Sequence, residues 1–421
     1  MSGMRSATAP RFEKYKRPRI SHALAVVGVA SLVALGPLSA AASPASRAAS
    51  AHEAAEWIAG QQTSTGAFIA EDLRVDLHAE ALAAVVAGVV GATTIEDALD
   101  YMESNGEAGA TEGARTGRII AGIVAGGEDP EDFGGVDYVA ILASQLDSTQ
   151  GRYRKDATAT YTDLFSNLLA ANGDIAADGQ LPESVKDYIL GQKCPDGGYA
   201  FGGVGDCAFN DVDTTALAVN ALANSGLTGA DVDDALDEAR TYLLGAQNPD
   251  GGFTFCCAGG TSSDSTGLAL AAIAALGEDA ESHPWMQADG DDPVQALESL
   301  QTSEGSFRFA DEDFNGDPIT EGNTLSTVNA IPGMAGESYP IQAAEPGPDP
   351  DPTPTPTPTV SPAGDNDEQD DGETEVGGVV ITLPDTGGDP GPQPVSRAAT
   401  LWTAIGLACV GLGARLRRQA R

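Results

Sequence analysis

The chain has 421 residues with 62 Asp+Glu against 22 Lys+Arg, a formal charge of −40 at neutral pH. A surface this acidic repels nucleic acid and other polyanions, which excludes them as partners and leaves cations, cationic proteins or neutral small molecules. Between two compositionally distinct ends lie roughly 290 residues, long and apolar enough for one large core.

In chain order, Arg11, Lys14, Lys16, Arg17 and Arg19 precede an apolar run from Ala23 to Leu38, and Ala40-Ala41-Ala42 follows it. A basic start, an apolar stretch and small residues at the cut predict a secretory signal peptide over residues 1–42.

Residues 51–337 carry an internal repeat. A helical stretch ends in Gln, a Gly-containing turn with an aromatic residue follows, and an Ala-rich helix starts behind Asp, Ser or Thr. The turns are Gln62 with Gly66 and Phe68, Gln145 with Gly151 and Tyr153, Gln192 with Gly197 and Tyr199, Gln247 with Gly251 and Phe253, and Gln301 with Gly305 and Phe307. Successive aromatics are 85, 46, 54 and 54 residues apart, and the longest interval holds a degenerate unit with helices at 95–104 and 112–125. The count is six helix pairs with thin strand signals, an all-α domain.

The second helix of a pair shows apolar residues at helical spacing, for example Leu217, Ala221 and Leu222 behind Asp213-Thr214-Thr215, and Leu268, Ile273 and Leu276 behind Asp264-Ser265-Thr266. Side-chain oxygens at helix starts accept hydrogen bonds from free N–H groups, so these headings are read first as N-caps. Asp231-Val232-Asp233-Asp234 opens a first helix and is read the same way. The aromatics recur in pairs: Tyr199 with Phe201, Phe253 with Phe255, Phe307 with Phe309. One of each pair is expected to anchor its turn and the other to line a ligand mouth.

Four cysteines, Cys194, Cys207, Cys256 and Cys257, belong to the turns of repeats four and five, an even count suited to disulfides outside the cytoplasm. Cys194 with Cys207 would close one loop, and cross-repeat pairing would staple neighbouring ones. A four-thiolate zinc site is the sharper alternative, but the spacing lacks paired CxxC knuckles. In the last repeat Asp311, Asp313, Asn315, Asp317 and Glu321 resemble the first half of an EF-hand calcium loop, which makes calcium the candidate cation. Pro318 and the position of Glu321 depart from that pattern and leave a plain acidic Asx-turn loop as the other reading.

Residues 344–382 shift to Pro, Thr, Asp and Glu, which predicts a disordered, extended stalk at about 3.1 Å per residue in its proline part. Over 383–421 come Leu383-Pro384-Asp385-Thr386-Gly387, a Gly/Pro spacer, an apolar segment at 398–414 and the basic residues Arg415, Arg417, Arg418 and Arg421. This order resembles the sorting signal of Gram-positive wall proteins, in which sortase cuts an LPxTG motif and joins the chain to peptidoglycan. With both ends processed, the remaining part carries 11 Lys+Arg against 60 Asp+Glu, a charge near −49.

The repeats "YILGQKCPDGGYAF…DVDTTALAVNALANSG" and "YLLGAQNPDGGFTF…DSTGLALAAIAALG" resemble the prenyltransferase and squalene-cyclase superfamily, which also includes cobalamin carriers and the complement thioester domain. The resemblance implies an (α/α)6 toroid, six inner helices ringed by six outer ones around a cavity. The exported part keeps only His52, His78 and His283, none in the prenyltransferase zinc motif, and no cysteine sits in a thioester Cys-Gly-Glu-Gln run. Against the cyclases' DxDDTA motif, Asp211-Val212-Asp213-Thr214-Thr215-Ala216 puts Asp213 where the general acid stands, with Thr214 replacing the third acid. Asp213 is therefore read as a cap before an acid, and an aromatic content of 5% offers few cation-stabilising walls.

The sequence thus predicts an exported surface protein, covalently attached to the cell wall of a Gram-positive bacterium, whose toroid binds a small molecule or surface partner without catalysis. The alternative is an extracellular enzyme on the same toroid, either cyclase-like through Asp213 or glycan-active. Sortase and peptidoglycan are the expected processing partners, membrane contact ends with sorting, and no cofactor is implied beyond calcium.

Overall fold

Two burial patterns divide the helices into two sets. In Ala230–Ala246 the buried residues Val232, Ala235, Ala239 and Leu243 form a single stripe, whereas in Ser263–Ala275 every residue from 263 to 273 is buried. A helix apolar on one stripe lies at a surface; one buried all round lies inside. The computed structural model describes residues 44–68, 74–155, 161–255, 260–313 and 315–343. Contacts divide the chain into units Met1–Pro352 and Thr353–Arg421, and every described residue belongs to the first. The expected signal peptide, stalk, sorting pentapeptide at 383–387 and apolar segment at 398–414, with Cys256 and Cys257, lie outside the described residues.

Among the described residues are twelve α-helices. The first member of each pair is α1 (Pro44–Ala59), α3 (Ala92–Gly109), α5 (Tyr138–Gln145), α7 (Glu183–Gly191), α9 (Ala230–Ala246) and α11 (Pro293–Glu298). The second is α2 (Val75–Ala87), α4 (Gly113–Ala125), α6 (Leu164–Asp178), α8 (Val212–Ala223), α10 (Ser263–Ala275) and α12 (Thr324–Ala335). α3 and α4 occupy the degenerate interval. Two antiparallel two-residue ladders complete the elements, β1 (Leu146–Asp147) with β2 (Arg152–Tyr153) and β3 (Tyr199–Ala200) with β4 (Asn210–Asp211). No helix of the described residues is long and apolar enough to cross a membrane.

Packing among the even helices runs α2 on α4, α4 on α6, α6 on α8, α8 on α10, α10 on α12, and α12 back on α2. Glycine makes the closest crossings: a Cβ on Gly173 of α6 would strike the backbone of Gly117 in α4, and one on Gly333 of α12 would strike Gly267 in α10. Backbones this close leave no room for a methyl group, so the sequence had to place glycine on both sides.

The recurrent turn is a hydrogen-bonded device. Four residues past each cap, an even helix presents a side-chain acceptor to the backbone N–H of the turn aromatic. His78 Nδ1 accepts from Phe68 at 3.1 Å, Asn167 from Tyr153 at 2.9 Å, Thr215 from Tyr199 at 2.9 Å, Thr266 from Phe253 at 3.0 Å and Thr327 from Phe307 at 2.9 Å. Gln62 donates to Gly66 in its own turn and to Thr94 in α3; Gln301 repeats this, donating to Gly305 and to Ser50 in α1, both at 2.9 Å. Gly305 has φ +94°, and its backbone lies so close to Glu53 of α1 that a Cβ would come within 2.6 Å of that carbonyl oxygen. The last repeat thus grips the first as each turn grips its successor. Gln301→Ala strands two carbonyls, so we expect a loss of about 1–2 kcal/mol. Denaturant midpoints check this; a variant as stable as the parent would show that the junction carries no load.

Candidate functional site

All six odd-to-even connections meet the N-terminal ends of the even helices, and the candidate residues gather there. The register of β3 with β4 pairs Asp211 with Tyr199 and holds Asp211 extended, at φ −142° and ψ 161°. That conformation makes Asp211 the N-cap of α8: its Oδ1 accepts from the Thr214 N–H at 2.7 Å and its Oδ2 from the Thr214 hydroxyl at 3.1 Å. The expectation that Asp213 caps this helix is therefore corrected. In the next repeat Ser262 caps α10, accepting from Ser265 N at 3.3 Å, so Asp264 is released in the same way. Both aspartates stand two residues inside their helices.

Asp213 Oδ1 is shut off from solvent and has no hydrogen-bond partner. Burial raises its pKa to about 8, with the negative charges of Asp211 and Asp264 adding to the rise and the Ser265 hydroxyl working against it. A helix N-terminus favours the carboxylate by no more than roughly 2 kcal/mol, or about 1.5 pKa units. Desolvation wins, and the acid keeps its proton at neutral pH. Asp264 is buried too, raised to about 6 by desolvation against hydrogen bonds from Asn329, whose Nδ2 lies at 3.3 Å, and from Ser326. Asp264 Oδ2 likewise lacks a partner.

Facing this pair across the circuit, α2 carries Asp76 and Glu80 one turn apart. Arg118 of α4 donates to Glu80 at 2.6 Å through Nε and to Asp76 at 3.0 Å through Nη1, and Arg74 reaches Asp76 at 3.2 Å. Asp76 is fully buried and its Oδ1 is unpartnered. Burial raises the pKa of Glu80 despite Arg118. Sequence reasoning missed this cluster, although charges at i and i+4 inside VDLHAEALAAVVA were its visible signal.

The six aromatic candidates divide. Tyr199, Phe253 and Phe307 are wholly buried, which makes them the anchoring members of their pairs and leaves Phe201, Phe255 and Phe309 as the mouth candidates. Phe201 is 48% exposed and stacks on Phe165, two residues into α6, with ring centroids 5.6 Å apart, while Phe255 meets Phe309 edge-on at 5.8 Å. Cys194 and Cys207 form a disulfide that closes the loop between α7 and β4. In the last repeat Asp313 accepts from the N–H groups of Asn315 and Asp317 at 2.8 and 2.9 Å, and Asp311 pairs with Arg308 at 3.1 Å. These side chains turn to the loop's own hydrogen bonds, an Asx-turn arrangement; among the described residues no group of three or more His, Cys, Asp or Glu is placed to hold a metal. A cavity of about 150 Å³ lined by Arg47, Leu270, Ile273, Glu278 and Gly336 lies toward the C-terminal half of α10, away from Asp213.

No family model matches the chain. A drimenyl diphosphate synthase from Streptomyces showdoensis is 32% identical over 173 residues, 39% of this chain and 30% of that protein's length. Among solved structures, a Tyr-to-Phe variant of the type II terpene cyclase MstE from Scytonema superposes with TM-score 0.50 at 14% identity, over 70% of this chain and 97% of the other. The ent-copalyl diphosphate synthase from Streptomyces platensis gives TM-score 0.39 at 17% identity, over 68% and 49%. The chain has a terpenoid-cyclase-like α/α fold. The expectation of a non-catalytic binding toroid is corrected by these findings, since the similar proteins are named for cyclase and synthase reactions.

Proposed function

We propose that this protein is an enzyme that cyclises a linear polyprenyl substrate by protonating it, with Asp213 as the general acid. One observation carries the reading: a carboxyl released from capping by Asp211, whose Oδ1 is shut off from solvent and unpartnered, and whose pKa is raised to about 8. Protonating an alkene demands a carboxylic acid that is neutral in the resting enzyme yet has no competing acceptor for its proton. The name of the partial relative, a diphosphate synthase of a cyclic terpene, supports the substrate class. In this reading the Asp213 O–H adds its proton to the terminal double bond, neighbouring double bonds close the rings, and loss of a proton from the final cation leaves an isomer of the substrate. Leu217, Leu268 and many alanines of the even helices are buried, and an apolar setting of that kind excludes the water that would quench a cation.

The six-repeat toroid belongs to the same proposal, supported by the circuit of even helices and by the grip of Gln301 and Gly305 on α1. For location we keep to the chain ends, an export signal at 1–42 and a sorting signal at 383–421, on the sequence evidence alone. The test is conversion of farnesyl or geranylgeranyl diphosphate by the purified chain, followed by mass spectrometry. A cyclic product of unchanged mass is expected; return of only the linear alcohol or diphosphate from both would sink the proposal.

A further inference from the structure

The sequence offers α8 two equal caps, since an aspartate stands at both 211 and 213. Whatever holds residue 211 extended decides between them. Three ties do so, all within the strap that joins α7 to α8. Tyr199 and Ala200 pair with Asp211 and Asn210. Asn210 Nδ2 donates to both carboxylate oxygens of Asp196, at 2.8 and 2.7 Å. The Cys194–Cys207 disulfide closes the strap over a separation of 13 residues and ends four residues before the cap.

This repeat is clamped differently from its neighbours. Gln62, Gln247 and Gln301 each donate to their own turn glycine and to a carbonyl of the following repeat, Gln247 at 2.8 Å to Gly251 and at 2.7 Å to Trp285. Gln192 holds the strap itself, its Oε1 accepting from the Val204 N–H at 3.0 Å. The 3-10 helix Val204–Phe209 that follows buries none of its residues, and Val204 and Phe209 are exposed. Packing therefore does little to keep this limb in place, and the bond to Gln192 and the disulfide fasten it. Cys194 is buried, while Cys207 is part-exposed on the limb.

We propose that the Cys194–Cys207 strap is the positioning element of the acid: closed, it keeps Asp211 as the cap and Asp213 free to protonate substrate; opened by reduction, it lets the first turn of α8 unwind and Asp213 take the cap. The role given to Asp213 rests on the cyclase reading. As a cap, Asp213 accepts from the Ala216 N–H, three residues on, just as Asp211 accepts from Thr214. A carboxyl in that position is favoured as the anion and no longer serves as a proton donor. The opening reaction balances with a dithiol as reductant, which closes to a cyclic disulfide while Cys194 and Cys207 each take one of its protons. The acid is thus armed in an oxidising compartment and disarmed in a reducing one.

The experiment uses the full chain oxidised, reduced with dithiothreitol and reoxidised, beside a Cys194→Ser/Cys207→Ser variant that isolates this bond from the other cysteines. Two quantities are read: conversion of farnesyl diphosphate, and the infrared band of a protonated carboxyl at neutral pH, assigned to Asp213 by its loss in Asp213→Asn. Reduction is expected to lower kcat about a hundredfold, the lower end of what a positioned acid contributes, with KM little changed, and to abolish the band. Reoxidation restores both, and the serine variant is low throughout and indifferent to dithiothreitol. Should that variant not fold, the reduced parent carries the same reading. Adding Val212→Pro to the serine variant is expected to bring band and turnover back, because the residue before proline is held extended and proline suits the first helical position, the arrangement that Asp292 and Pro293 already have at α11. A strap that served only stability gives no such rescue. A band that survives reduction, with both thiols counted by alkylation, or that is missing from the oxidised parent, overturns the proposal. A band lost on reduction in a parent that converts no substrate upholds the strap and sinks the cyclase reading instead.

Discussion

Asp213→Asn is expected to cut turnover by roughly 100- to 10,000-fold, the usual contribution of a positioned acid, and at the same time to stabilise the fold in alkaline solution. The two effects share one cause. The folded protein holds the Asp213 proton up to about pH 8, whereas the unfolded chain releases it near 3.8. Between these values the folded state binds more protons than the unfolded, so the contribution of this group to stability falls as pH rises and levels off above about 8. Asparagine, which has no charge to desolvate, escapes that penalty. The variant should match the parent near pH 4 and gain on the order of a few kcal/mol by pH 8, with about 5 as the ceiling for a shift of this size. Turnover by the parent should hold on the acidic side and decline through pH 8, because only the protonated acid acts. Denaturation at several pH values and a kcat profile check both limbs. Turnover in the asparagine variant within a few-fold of the parent would remove Asp213 from the mechanism.

The second large effect is expected at Arg118. Arg118→Met keeps the side-chain volume but removes the partner of two carboxylates, one of them, Asp76, wholly buried. Breaking a buried ion pair on one side leaves an uncompensated charge and costs about 3–5 kcal/mol. Glu80, already raised by burial, rises further once the arginine is gone. A raised carboxyl loses stability with rising pH, so the penalty should be largest above neutrality and ease toward pH 5 as Glu80 takes up a proton. Replacing the whole cluster, Arg118→Met with Asp76→Asn and Glu80→Gln, should recover most of the loss. Equal destabilisation at pH 5 and pH 8, or no recovery in the triple variant, would show that packing rather than charge sets the role of Arg118.

Much of the scaffold was legible because turn chemistry is local. A Gln that ends one helix, a glycine at positive φ and an aromatic anchor report a geometry that the next few residues must satisfy, and the doubled spacing from Phe68 to Tyr153 marked the place of the degenerate pair at α3 and α4. The site was harder to read. The heading Asp211-Val212-Asp213 offers two caps within three residues, and sequence could not say which one the strand pairing of Tyr199 with Asp211 would claim. Composition also misdirected the functional reading. Aromatic content averages over the whole chain, while protonation depends on a single carboxyl and its neighbours.

The sequence by itself determined the repeat, the number of helix pairs and the residue types at each helix start, because helical periodicity and turn geometry depend on neighbours along the chain. Only the tertiary structure decided that Asp213 is free of capping with its Oδ1 shut off from solvent, that Asp264 and Ser265 act on it, that Arg118 holds two acids on α2, and that the chain after α12 returns to α8 at Tyr339. Solvation and charge coupling depend on which distant helices meet, and a carboxyl acquires its acidity from that assembly rather than from its place in the chain.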